Sequence, residues 1–443
     1  MLSSFRHFGR RCWLLLLLSL LAGRPAAAHP MPNSVLLLRV HPQRIEADAR
    51  IPLSELQPAF GHAVGDSAAA VLPHYGPLLR QYLARHIRLQ SPDGRYWAVQ
   101  VGPLGVRHQQ NPLNGPYDEL TAQLTMRPPT GADVRRFVLR DDAVLHQVVT
   151  HKILVAVRQD WATGQVSAAD SAAAQVGVIE LDVVNSVIPP LAVNLAEGSA
   201  WTGFAAMVQL GTRHIAEGTD HLLFLLALLL PAPLLVAAGG RRWGGFGGTR
   251  YSLRRLLLLV SAFTVGHSLT LLLGTLGWVR LPTQPVEALI AVSILVAAAH
   301  AVRPLFPGRE AWVAAGFGLV HGLAFASTLA QLHLEAGPLV LSLLGFNLGI
   351  ELMQLLVVAC TVPWLLLLAC TPYYRYGQVA GAAGAGAAAA AWLAERLSGQ
   401  GNPLTRALTG VEAYAPWLLA ALAIVAVLLH QHSRQLMRAA KLP

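Results

Sequence analysis

The chain has 443 residues, 54% of them hydrophobic and only 13% charged, against about a quarter charged in an ordinary soluble domain. That deficit argues against a soluble enzyme and for a membrane protein, with length enough for one extramembrane domain and several spans. The net charge is +10, but the arginines fall in short loops between apolar runs. They read as a membrane-topology signal; no basic patch with interleaved aromatics and no nucleic-acid motif is present.

The chain opens with "MLSSFRHFGRRCWLLLLLSLLAGRPAAAHP". Arg6, Arg10 and Arg11 form a basic part, Trp13 to Ala22 an apolar core, and Ala26 to Ala28 a small-residue cleavage site. The core is too short to cross a bilayer, which takes roughly 20 residues of helix. Residues 1–28 therefore read as a signal peptide whose removal leaves His29 as the new N-terminus. Residues 29–195 follow as an exported domain. Segments such as "SVLLLRV", "RIEADARI", "IRLQ", "YWAVQVG", "RRFVLR", "KILVAVRQDW" and "GVIELDVV" predict short strands between Pro, Gly and Asp turns, hence a β-rich, sandwich-like fold. "AVLPHYGPLLRQYLARHI" predicts a helical insertion. His41, His62, His74, His86, His108, His146 and His151 are scattered without ligand spacing and read as surface or packing residues. The cysteines are Cys12, Cys360 and Cys370, so the exported domain folds without disulfides.

From about residue 200 the composition turns apolar. Candidate spans lie at about 217–238, 256–276, 284–303, 311–330, 338–369, 378–397 and 414–431. The fifth is long, and Pro363 is placed to kink or end it. The sixth contains "AGAAGAGAAAAAW", whose small residues allow close helix contact. With the first domain outside, inner segments carry eleven basic residues: Arg241, Arg242, Arg250, Arg254, Arg255, Arg303, Arg309, Arg375, Arg434, Arg438 and Lys441. The outer loops carry three, Arg280, Arg396 and Arg406, which is the asymmetry the positive-inside rule demands. The expected fold is an all-α polytopic membrane bundle of about six or seven helices behind the exported domain. Residues 200–397 form its main part, and 398–443 add a loop, a last transmembrane helix and a cytoplasmic tail.

Ionisable groups inside a membrane are costly, so those present point to function. In "GTRHIAEGTDHLLFLLALLL", His214, Glu217 and His221 recur at i, i+3 and i+7, on one stripe of a helix, with Asp220 beside them. Gly218 interrupts that stripe, as a kink or as a place for close approach. Imidazoles with carboxylates suit nickel, cobalt, zinc or manganese, and the lack of a Met/Cys set argues against monovalent copper. "FTVGHSLTL" puts Thr264, His267, Ser268 and Thr270 in the second span. "PTQPVEALIAVS" puts Glu287 near the outer end of the third, with Ser293 deeper; His300 lies about 220° around the helix from Glu287, so the two do not meet. "GFGLVHGLAFA" flanks His321 with Gly318 and Gly322, and "GFNLGIELMQ" puts Asn347, Glu351 and Gln354 on one face. Gathered around one cavity, these groups could satisfy one another or bind a cation.

The motifs "HIAEGTDHLLFLLALLL", "FTVGHSLTL", "PVEALIAVSI", "FGLVHGLAFA", "LGFNLGIELMQ" and "AAWLAERL" stand in the order found in the HupE/UreJ family of hydrogenase/urease accessory membrane proteins, which the segment from about 200 to 397 resembles. The leader, "HPMPNS" and the β-rich domain also resemble longer members. The opening motif is similar to the His-x4-Asp-His signature of nickel/cobalt permeases, one residue longer here, and the "GHS" at 266–268 is similar to theirs. His300 stands where the family pattern has an acidic or amide residue, and the last span lies beyond the resemblance.

The resemblance implies a permease for a divalent transition-metal ion, nickel or cobalt, with the ion as substrate and no permanently bound cofactor. His214, Glu217, Asp220 and His221 are then the outer entry site. His267, His321, Asn347 and Glu351 continue the path, Glu287 sits near its outer end, and Gln354, Ser268 and Thr264 line it. The expected partners are the lipid bilayer, the metal ion and metalloenzyme maturation proteins. The expected location is the bacterial inner membrane, with the first domain in the periplasm and the C-terminus in the cytoplasm. Two other classes stay open: a non-transporting accessory or scaffold protein for metalloenzyme maturation, and a zinc-dependent membrane hydrolase. The sequence contains no HExxH and no nucleophile elbow for the latter.

Overall fold

The computed structural model describes residues 32–439 apart from 65–67, 112–114, 167–171, 280, 331 and 333. The signal peptide expected over 1–28, the new terminus at His29, and the basic residues Arg280 and Lys441 lie outside the described residues. The chain divides into two compact units. One comprises the residues up to Leu38 with Gln43–Ala156 and Gln175–Asn194; the other comprises Arg39–Pro42, Val157–Ala174 and the residues from Leu195 onward.

The first unit is rich in strand. β1 (Ser34–Val40), β2 (Ile45–Pro52), β4 (Ala98–Asn111), β5 (Gly115–Arg127), β7 (Lys152–Asp160) and β8 (Ala174–Glu180) form a six-stranded sheet in the order β4-β5-β2-β1-β7-β8. β3 (Ile87–Gln90), β6 (Arg136–Asp141) and β9 (Leu191–Asn194) form a second sheet in the order β3-β6-β9. In β2 every other side chain is buried, the period-two alternation of a strand with one face on a core. Its antiparallel register against β5 runs from Ile45 opposite Met126 to Pro52 opposite Glu119. β5, "GPYDELTAQLTMR", was not among the segments read from sequence: Asp118, Glu119 and the Gly-Pro start mask its alternation. Two helices precede β3, α1 (Leu53–Phe60) and α2 (Ala68–His86); the second is the expected insertion and continues through Pro73 and Pro77.

In the second unit, helices follow one another as α3 (Ala200–Glu217), α4 (Thr219–Leu229), α5 (Thr249–Thr275), α6 (Thr283–Val302), α7 (Glu310–Ala330), α8 (Ala336–Ala369), α9 (Tyr374–Ser398), α10 (Pro403–Leu408) and α11 (Ala415–Ala439). α5, α6, α8 and α11 are long and apolar enough to cross a membrane; α4 and α7 are apolar but shorter by the same measure. The expected span at 217–238 needs correcting. Its helix ends at Leu229, and the chain turns into an antiparallel hairpin of β10 (Leu234–Val236) and β11 (Trp243–Phe246). Pro231 and Pro233 lack the amide a continuing helix needs. Ahead of it stands α3, which the span map missed because Gln209, Thr212 and Arg213 dilute its hydropathy; Ser199 caps it by accepting from the Thr202 amide. Pro363 neither ends nor splits α8, which runs on to Ala369. The Ala/Gly tract is helical, inside α9, with Ala382, Ala385 and Ala389 buried.

The bundle is held by close helix crossings. Gly211 of α3 lies against the carbonyl of Phe346 in α8, and Gly349 of α8 against the carbonyl of Val208 in α3. The same reciprocal contact joins Gly266 of α5 to the Ala315 carbonyl of α7, and Gly318 of α7 to the Phe263 carbonyl of α5. A Cβ at any of these positions would overlap the facing backbone. Small residues at helix interfaces are how membrane helices gain packing where lipid is as apolar as leucine.

Two tests follow from this unit-by-unit packing. Gly318→Val should force α5 from α7 and lower stability by about 2 kcal/mol or more, read as earlier thermal aggregation in detergent, while Gly316→Val, where a Cβ meets nothing within 4 Å, should melt like wild type. In the strand-rich unit, Asp141 is buried, accepts from the Ala143 amide, and burial pushes its carboxyl up to about 7. A raised acid contributes stability fully below its unfolded value, and that stability is lost as pH rises through the folded one. Asp141→Asn should therefore stabilise the protein at pH 8, by as much as about 4 kcal/mol, and change little at pH 4, as measured by thermal unfolding at the two pH values.

Candidate metal centre

The residue that shapes the centre is Gly218. It ends α3 and caps α4 with φ −82° and ψ 94°, so the helix is broken there. A Cβ on Gly218 would meet the His214 carbonyl, His221 Nδ1 and Asp220 Oδ1 within 3.1 Å. The stripe read from sequence is interrupted where the sequence marked a kink, at Gly218. His214 and Glu217 stand on α3, Asp220 and His221 on α4. The two imidazoles still meet, with ring centroids 4.7 Å apart and edge to face, whereas Glu217 is exposed.

His267 joins them from α5, its ring centroid 6.3 Å from that of His214. One ring nitrogen each of His214, His221 and His267 lie within 4.8 Å of one another. Around a tetrahedral ion with bonds of about 2.1 Å, ligand nitrogens sit about 3.4 Å apart, so a modest contraction brings these three onto one cation. His321 of α7 stands beside them, its ring centroid 5.1 Å from that of His221. Phe325 and Phe346 wall the His214 side at 4.7 and 5.4 Å between centroids, and Phe224 and Phe263 pack on His321 at 5.1 and 5.2 Å. Imidazoles are thus gathered from four helices inside an aromatic shell.

Hydrogen bonds fix two of the tautomers. His221 Nδ1 lies 2.9 Å from Asp220 Oδ1; an ionised carboxylate only accepts, so Nδ1 carries the proton and Nε2 keeps a lone pair. This is the carboxylate–histidine arrangement that orients metal ligands. Ser293 Oγ donates to the Ile290 carbonyl at 2.7 Å and lies 3.0 Å from His321 Nε2. Its proton is committed, so it accepts from Nε2–H, and His321 Nδ1 keeps the lone pair. His221 Nε2, His321 Nδ1, His214 Nε2 and both nitrogens of His267 are buried without a hydrogen-bond partner. Each such group costs about 1–3 kcal/mol. Protein folds seldom leave several together, and a shared cation would engage one lone-pair nitrogen of each ring.

The other expected residues divide. Gln354 is buried, and its Oε1 accepts from Thr264 Oγ1 at 3.1 Å; with His221, Phe224, Leu225, Leu228, Val260 and Phe263 it lines a small void beside the cluster. Ser268 Oγ is spent on the Thr264 carbonyl of its own helix. Asn347 Nδ2 donates to the Leu343 carbonyl, and its side chain also neighbours His267. Glu351 is half-buried on α8, and the converging group of ring nitrogens is that of His214, His221 and His267. Glu287 pairs with Arg396 at 2.7 Å. It does not meet His300, which stacks on Phe306 and accepts at Nδ1 from the Leu305 amide. A cleft of about 480 Å3, lined by His214, Glu217, Asp220, His221, Glu287, Trp392 and Arg396 among others, leads to the cluster.

Ser293, Trp392 and Arg396 were not read as site residues. Ser293 had one available signal, its position on the span that carries Glu287, but a serine inside a helix usually bonds its own backbone. In the strand-rich unit, Ser34 Oγ, His151 Nε2 and Glu55 line up with spacings of 2.7 and 3.4 Å, a serine–histidine–acid order. All three are buried, and Nε2 also accepts from the Ser34 amide, so the arrangement ties β1 to the chain before β7 and offers no reachable nucleophile.

Helices long and apolar enough to span a bilayer, packed around a knot of imidazoles, define a membrane protein with a polar core. Within that class, residues 192–396 match the family model described as HupE / UreJ protein, so the resemblance carried by the sequence motifs holds over this segment. No curated protein and no solved structure matches the chain. Loss of a partner that orients a metal ligand typically weakens affinity 10–100-fold. Asp220→Asn should accordingly weaken nickel retention by the detergent-purified protein by about tenfold or more, and Ser293→Ala should weaken it less, in equilibrium dialysis against radioactive nickel.

Proposed function

We propose that the helical unit is a permease for a divalent transition-metal ion, nickel or cobalt, and that His214, His221 and His267 are its central binding site. The observation that carries this reading is the convergence of three imidazole nitrogens, from three helices, within 4.8 Å. Nitrogen ligands suit nickel and cobalt, and a neutral three-histidine site holds a divalent ion firmly enough to select it yet releases it on protonation. His321 is the next ligand along the path, with Asp220 and Ser293 as orienting groups. Glu217 and Glu287 lie at the mouth, which opens to the outer side in the orientation set by the arginine asymmetry. The match to the HupE / UreJ model supports the same class of role, supply of metal to hydrogenase or urease. The strand-rich unit is the exported partner of this path, and metalloenzyme maturation proteins are the recipients of its cargo.

Cells making the protein should accumulate radioactive nickel faster than cells lacking it. The His214→Ala/His221→Ala double variant should fall to the background rate at equal membrane abundance. Equal uptake by the double variant and wild type would overturn the permease reading and leave an accessory role.

A further inference from the structure

A fixed guanidinium at the mouth of a cation path is out of place. Arg396, near the C-terminal end of α9, lines the cleft together with Glu217, Asp220, His214 and His221. It pairs with Glu287 at 2.7 Å and more loosely with its neighbour Glu395 at 3.8 Å, and the Arg396 and Glu287 side chains remain more than a third exposed. Its position is built: Gln284 Nε2 donates to the Arg396 carbonyl at 2.6 Å and ties the end of α9 to the start of α6. A bare divalent cation gains nothing from this charge, which repels it and neutralises the nearest carboxylate.

The size of the cleft points the same way. At about 30 Å3 per water, an ion with six waters occupies on the order of 200 Å3. The cleft offers about 480 Å3, within the range of small-molecule sites. It also presents the indole of Trp392, an apolar face that a hydrated ion does not use. An arginine fork recognises a carboxylate bidentately.

We infer that the cleft receives the metal as a complex with a small multi-carboxylate chelator. Arg396 grips a carboxylate of the chelator, Trp392 packs on its carbon frame, and the metal faces His214 and His221. Those two histidines belong both to the cleft and to the converging triad. The metal can therefore pass from carboxylate oxygens to imidazole nitrogens by stepwise ligand exchange, in the direction nickel and cobalt favour, with the chelator left outside. Glu287 holds Arg396 in place until a chelator carboxylate competes for it. This inference rests on the permease reading and adds to it the form in which the metal arrives.

The test is equilibrium dialysis of the full-length protein in detergent against radioactive nickel and tritiated citrate together, and against radioactive nickel chloride alone. Wild type should retain both labels in near-equal amounts. Arg396→Gln should retain citrate about tenfold less well while holding nickel from the chloride within about twofold of wild type. Glu287→Gln, which removes the nearer of the two carboxylates that compete for the guanidinium, should retain more citrate than wild type, a gain that misfolding cannot produce. Nickel retained without citrate, or citrate retention indifferent to both variants, would overturn the inference and leave the metal site standing. Retention of neither label from either mixture would overturn the metal site itself.

Discussion

The contact on which the helical unit depends is backbone against backbone, where a glycine of one helix meets a carbonyl of the next. Two such crossings, α3 with α8 and α5 with α7, are reciprocal, each helix supplying a glycine to the other. Reciprocity fixes both the separation and the axial register, because sliding either helix by one residue would drive a side chain into the facing carbonyl. His214 lies three residues beyond Gly211, His267 directly follows Gly266, and His321 lies three beyond Gly318. The imidazoles are thus placed within about one helical turn of the points where the helices are held most rigidly. A ligand site needs positions held to a fraction of an ångström, and packing of this kind supplies it, with the Arg255–Glu310 ion pair at 2.8 Å as an added tie between α5 and α7.

That arrangement explains how imidazoles can be buried in a bundle that offers them so few partners. Leucine-lined interfaces would have let the rings rotate away to the helix surface. Close crossings leave no space beside the axis, so the rings are confined to the interior with Phe224, Phe263, Phe325 and Phe346 around them. The fold bears the desolvation of several unpaired nitrogens, and Asp220 and Ser293 set which nitrogen of two rings keeps its lone pair. Satisfied neighbours and an unsatisfied centre thus stand side by side in the same packing.

Much of this was legible in the sequence, and the reasons are local. An imidazole inside an apolar run stands out by chemistry alone, and so His214, His221, His267 and His321 were all identified. The close crossings were half visible, as glycines flanking His321. What the sequence hid was geometry that depends on a turn or a partner. The hydropathy of "HLLFLLALLLPAPLLV" runs smoothly past Leu229, while the prolines that end the helix lie inside the window. α3 is too mixed in composition to register as a span. Periodicity put Asn347, Glu351 and Gln354 on one face, and only contact shows that Gln354 is fully buried against Thr264 of α5. Arg396 counted as a loop charge until α9 placed it in the cleft. In the strand-rich unit, β2 was plain from its alternation and β5 was not, because a strand paired on both edges can still carry acidic residues at one end.

The break at Gly218 has a mechanical consequence. Two of the converging imidazoles sit on opposite sides of a joint whose angle is set by the torsions of essentially one residue. An uninterrupted helix would hold its side chains at a spacing dictated by 1.5 Å of rise per residue; a jointed one lets the spacing follow the angle. If the site takes a cation as proposed, an ion bridging His214 and His221 would act as a strut across that joint. In the permease reading, stiffness of the α3–α4 pair would be coupled to occupancy, and the helix packed on α8 would be the part whose rigidity changes with it.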